Sequence, residues 1–186
     1  MADNRYAYGF KYHSSRWGGM EPAPIRKFVA DTYQAQDDAS GFSVDLNVGD
    51  PVKLATDGSI TLSITSEAVW GIVVGVSSYY DGSVIRSNNK LPGGSTGGGV
   101  RERLSEVLVI PAERAYWSIM ADDKTTFTTR ATYEDAIGAN FIHTCVGDTT
   151  SKEARPLLDI SDSNTAQDHN WRLEGIDDTL DNRDFS

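Results

Sequence analysis

The sequence predicts an all-β protein, a small barrel or sandwich with an extended N-terminal arm and little helix, and three observations carry that prediction. Val44, Leu46 and Val48 alternate with Asp45 and Asn47, the two-residue period of a half-buried strand. The run Val69-Trp70-Gly71-Ile72-Val73-Val74-Gly75-Val76 is apolar on both faces and rich in β-branched residues, as a central strand covered on each side requires. Turn residues recur roughly every ten positions, the spacing of a sandwich or barrel.

Taken in order, residues 1–30 show no lasting period. Arg5-Tyr6-Ala7-Tyr8-Gly9-Phe10-Lys11-Tyr12 and Arg16-Trp17-Gly18-Gly19 interleave aromatics with cations, and Pro22 and Pro24 bias the residues before them toward extended backbone. Aromatic and arginine side chains are those that interfaces favour. The reading is an extended arm that orders on a neighbouring surface, with Arg5, Tyr6, Tyr8, Phe10, Lys11, Tyr12, Arg16, Trp17, Arg26 and Lys27 as its contact residues. A frayed terminus is the plain alternative, but so many large aromatics speak against it.

Residues 31–186 make the β domain. Arg26 to Thr32 enters as its first strand, and Gly49-Asp50 punctuates the chain before Pro51 opens the next. Asp57-Gly58 is a hairpin signal between Val52–Leu54 and Ile60–Ile64. Gly71 and Gly75 suggest a bend or bulge in the central strand. Tyr79 to Gly82 reads as a turn, and residues 87–99, ending Pro92-Gly93-Gly94-Ser95-Thr96-Gly97-Gly98-Gly99, as a flexible exposed loop. Further strands are expected at Glu106–Pro111, Glu113–Met120, Asn140–Val146, Leu157–Ile160 and Trp171–Ile176. One helical turn over Tyr133–Gly138 would be closed by its glycine, and Ser161–Asn170 would be a polar loop.

Composition narrows the function. Hydrophobic residues make up 39% of the 186, and the formal net charge of −10 argues against nucleic acid or an anionic membrane as partner. The charge is uneven. Residues 1–30 carry five basic and two acidic side chains, whereas residues 146–186 carry four basic and ten acidic ones. A basic front and an acidic tail suit contact between copies or with a charged partner, although solubility alone would also explain them. Cys145 is the single cysteine, so no internal disulfide forms and a reducing cytoplasm is the natural place of synthesis. No signal-like start and no stretch of about 18 apolar residues is present.

Chemical motifs are weak. His143-x-Cys145 could supply half of a zinc site, yet such a pair on a strand is more often packed. Asp177 to Asp184 has carboxylates but neither the glycine nor the final glutamate of an EF-hand loop. The glycine-rich stretch lacks the Lys-Ser/Thr pair of a phosphate-binding loop, and no Gly-x-Ser-x-Gly elbow occurs. Acidic residues are too many for their presence to single out a carboxylate pair. The signal lies in surfaces, with no cofactor and no metal expected.

The order of motifs resembles that of capsid decoration (cement) proteins, tailed-phage virion proteins encoded beside the major capsid protein. The matching stretches are Gly9-Phe10, the Pro22/Pro24 segment, Val48-Gly49-Asp50-Pro51-Val52-Lys53-Leu54, Trp70 to Val76 and Val107 to Ile110. Tyr116-Trp117-Ser118-Ile119, Asp135 to Gly138, Leu173 to Ile176 and Asp181-Asn182 complete the order. The long glycine-rich insert at 92–99 departs from the pattern. The resemblance implies a non-enzymatic protein on the capsid exterior that bridges major capsid proteins. With the charge pattern, the expected partners are the major capsid protein and other copies of the chain, a trimer being one option, and neither nucleic acid nor membrane. Another virion part, such as a tail or connector component, and a carbohydrate-binding module or small hydrolase with a Trp/Tyr sugar platform are the alternatives.

Overall fold

Short β-branched runs broken by Gly, Asp and Pro give short strands. The computed structural model describes residues 9–29, 45–65, 67–81, 84–86, 89–91, 106–122, 129–147, 154–164 and 170–176. Within them run β1 (Lys11–Ser15), β2 (Ile25–Phe28), β3 (Leu46–Asn47), β4 (Pro51–Leu54), β5 (Ile60–Leu62), β6 (Gly71–Val76) and β7 (Tyr79–Asp81). They are followed by β8 (Val84–Arg86), β9 (Lys90–Leu91), β10 (Glu106–Pro111), β11 (Ala115–Ser118), α1 (Arg130–Asp135), β12 (Asn140–Gly147), β13 (Ala154–Asn164) and β14 (Trp171–Arg172). The fold is all-β, as expected, with a single short helix among the described residues.

The main sheet has the order β2-β10-β6-β4-β5, every neighbouring pair antiparallel. Asp57-Gly58 makes the expected hairpin between β4 and β5. There the carboxylate of Asp57 accepts from the Ser59 hydroxyl and, at 2.9 Å, from the Ser59 N–H. These two bonds, the hydroxyl's first, hold the Asp57 carboxyl below its ordinary range. β6 sits between β10 and β4 as the central strand, and the β6–β10 register slips between Leu108 and Val109, the bulge that Gly71 and Gly75 suggested. A Cβ on Gly71 would lie 2.6 Å from Val109 Cγ1 and 2.7 Å from the Ile110 carbonyl oxygen, so this crossing of strands admits only glycine.

Alternating residues of this sheet point inward. Val29, Val52, Ile60, Leu62, Val73, Val107 and Val109 form one buried cluster with Leu46 and Leu91 of the β3–β9 pair and Cys145 of β12. The sheet's two edges meet at one parallel bridge, Val29 to Ile60. The sheet curls toward a barrel, but no ladder closes it among the described residues.

A second, three-stranded sheet has the order β13-β12-β14. Its cluster of Phe141, Leu158 and Ile160 is covered by Trp171, Leu173, Ile119 and, from α1, Tyr133. Thr129 caps α1, exchanging hydrogen bonds with Thr132. The helix therefore begins at Arg130, before the Tyr133 expected from sequence, and Gly138 follows its end.

Several expectations are corrected. Tyr79–Asp81 pairs with Val84–Arg86 as a ribbon instead of turning. Lys90-Leu91, inside the stretch read as an exposed loop, pairs with β3 and buries Leu91 completely, because an apolar residue in a polar run is still drawn to the core. The remaining glycine-rich residues 92–99 lie outside the described residues. β13 runs on through Ser161–Asn164, held by pairing with Asn140 and Phe141. Most importantly, residues 9–29 are not an arm outside the fold. β1 pairs with β11, β2 with β10, and both pairings join residues far apart in sequence.

Candidate docking surface

Phe10 has left solvent and is only 4% exposed. Its N–H donates to the Gly49 carbonyl oxygen at 2.9 Å, and its ring stacks on Trp171 with centroids 4.3 Å apart and planes at 28°. Gly9 makes the approach possible: at φ +69° its absent Cβ would lie 2.7 Å from the Gly49 oxygen. Tyr12 is half-buried and meets Trp117 edge-on at 6.1 Å. Lys27 lies over the Trp70 ring at 5.0 Å and donates to the Gly58 carbonyl at 3.2 Å. Arg26 is exposed, 3.7 Å from Glu106. Lys11 is an exposed residue of β1 opposite Ser118. Arg5, Tyr6 and Tyr8 lie outside the described residues.

The two remaining contact candidates, Arg16 and Trp17, sit where β1 ends. Arg16 N–H donates to the Arg114 carbonyl at 3.1 Å, continuing the β1–β11 ribbon by one bond. The chain then leaves the body of the molecule. Trp17 is 79% exposed and Met20 92%, across a Gly18-Gly19 turn with both φ positive. The Arg16 guanidinium lies 5.9 Å from the Trp17 ring centroid. Tyr116 of β11, paired with Ser14, is exposed on the adjoining ribbon. An unshielded tryptophan and methionine on one five-residue loop form an apolar tip, the kind of feature that marks an interaction site. Sequence reading missed Met20, Arg114 and Tyr116; the one local signal was an isolated methionine after two glycines.

His143 and Cys145, the pair that could supply half of a zinc site, are used inside the fold. His143 is completely buried. Trp171 Nε1–H donates to its Nδ1 at 3.4 Å, which leaves the proton on Nε2, and Nε2–H donates to the Ser63 carbonyl at 3.0 Å. Burial holds His143 below its ordinary range, outweighing the opposing pull of the Ser63 carbonyl and of Glu67. This link joins the second sheet to the end of β5, and through Trp171 to Phe10. Cys145 is buried in the main cluster, its N–H donating to Thr65 Oγ1 at 3.1 Å, and burial pushes its thiol far up. The His143/Cys145 pair therefore serves as packing and strut. Among the described residues no three His, Cys, Asp or Glu side chains gather as metal ligands, and no helix is long and apolar enough to cross a membrane. No family model, no curated protein and no solved structure matches this chain.

Proposed function

We propose that this chain is a non-enzymatic structural protein of a tailed-phage virion that sits on the outer capsid surface and bridges neighbouring major capsid proteins, stabilising the head. One observation carries the reading: a β-rich body that seats Phe10 and Tyr12 internally leaves Trp17 and Met20 standing in solvent on a short loop. A fold gains nothing by exposing them, whereas a bound surface does, since burying such a side chain is worth about 2 kcal/mol. The resemblance in motif order supports the choice of partner, and repetition on a symmetric lattice turns modest single contacts into large avidity. Arg5, Tyr6 and Tyr8, which precede the seated Phe10, belong to the same proposed contact.

The reading is tested on heads assembled without the protein. Its addition is expected to raise the temperature at which such heads release their DNA; an unchanged release temperature at saturating protein would overturn it. A carbohydrate-binding module, which the exposure of Trp17 would also suit, is separated by glycan binding in the absence of heads.

A further inference from the structure

The chain carries 27 acidic side chains among 186 residues, yet none lies between Asp3 and Glu21, and none between Glu113 and Asp122. The fold brings these two acid-free stretches together. β1 pairs with β11 from Lys11–Ser118 to Ser15–Ala115, with a register slip at His13, and Arg16 extends the ladder to Arg114. Lys11, His13, Arg16 and Arg114 are exposed on this ribbon and its loop, and Trp17, Met20 and Tyr116 supply apolar area. The stretch is cationic and aromatic on a molecule whose net charge is −10. Exposed cations and exposed apolar side chains gathered on one ribbon suit a counter-surface that is acidic and offers apolar contact.

We infer that the β1–β11 ribbon and the Arg16–Met20 loop form a docking surface for a protein face that offers an apolar pocket bordered by carboxylates. Trp17 and Met20 enter the pocket, and Arg16 and Arg114 meet its acidic rim. Methionine adapts its shape to an irregular pocket, and the Gly18-Gly19 turn, where an added Cβ would meet nothing within 4 Å, lets the partner come close to the backbone. An extended anionic lipid surface would also face the acidic remainder of the chain, whereas a protein pocket bordered by carboxylates need face only the ribbon and its loop, so a folded protein is the better match. The identification of that protein with the capsid shell rests on the function proposed above.

Binding isotherms on heads lacking the protein, at about 50 and 300 mM salt, test the inference. Trp17→Ala/Met20→Ser is expected to weaken binding by about 30-fold or more, the effect of losing an interface anchor. Arg16→Gln/Arg114→Gln should weaken it several-fold at low salt and much less at high salt. Each variant must retain the parent's melting temperature, which the exposure of all four positions allows. Parent-like binding by Trp17→Ala/Met20→Ser would overturn the inference while leaving a capsid role intact. Salt-independent binding, unaffected by the arginine changes, would overturn the acidic rim. Failure of the parent itself to bind heads would overturn both readings, and binding to anionic vesicles in its place would make the partner a membrane.

Discussion

Phe10 and Trp17 stand seven positions apart in the same aromatic and cationic stretch, and the structure treats them in opposite ways. Phe10 is 4% exposed, stacked on Trp171 and tied through its backbone to Gly49, whereas Trp17 is 79% exposed and touched by Arg16. Their chemistry does not decide this; their surroundings do. Phe10 lies where the Gly49 turn and the second sheet leave a seat, and Trp17 lies one residue beyond the last ladder bond of β1. The front segment is therefore built into the fold at Phe10, β1 and β2, while the Trp17–Met20 loop between them stands in solvent.

The largest effect is expected from emptying the seat. Phe10→Ala should destabilise the protein by about 3–5 kcal/mol in urea unfolding, the usual loss for a buried aromatic, and a loss below about 1 kcal/mol would mean that the stack on Trp171 is ornamental. Glycine sharpens the contrast. Gly9 and Gly18 share a φ near +70°, but only Gly9 faces a backbone oxygen where its Cβ would be. Gly9→Ala is therefore expected to cost clearly more than Gly18→Ala, whose loss of about 1 kcal/mol would reflect backbone strain alone. Equal losses in thermal melts would dissolve the distinction.

The strut beneath the seat gives a pH signature of intermediate size. His143 is held below its ordinary range, so the unfolded chain takes up its proton first as pH falls. The contribution of neutral His143 is complete above about pH 6.5 and declines below it, by at most about 1.4 kcal/mol per pH unit, until the folded protein protonates as well. Stability measured at pH 7.5 and 5.0 should fall more in the parent than in His143→Gln, whose amide can still donate to Ser63; the same fall in both would show that His143 is not the titrating group. The smallest effect belongs to Trp17→Ala, which should leave stability within about 0.5 kcal/mol while it impairs binding.

Much of the body was legible in the sequence. The Asp57-Gly58 hairpin, central β6, β10 and β12 declare themselves through turn chemistry and β-branched runs, which are local properties. β1 does not, because its partner β11 lies a hundred residues on and its own residues, Lys11-Tyr12-His13-Ser14-Ser15, have no apolar face of their own. The same cause divided the contact residues. Phe10, Tyr12 and Lys27 look like Trp17 locally, and only the distant rings of Trp171, Trp117 and Trp70 reveal that the first three are used internally. Leu91 was hidden by its polar neighbours, and Arg114 by a strand assignment that overran the 3-10 turn Ala112–Arg114.

Amide hydrogen exchange over residues 9–29, free and bound to heads, tests the division of the front segment most directly. The amides of β1 and of Phe10 should be protected in both states, while residues 17–20 exchange fast in the free protein and slow sharply on binding. Fast exchange throughout β1 in the free protein, or protection gained on binding everywhere except the Trp17 loop, would contradict it.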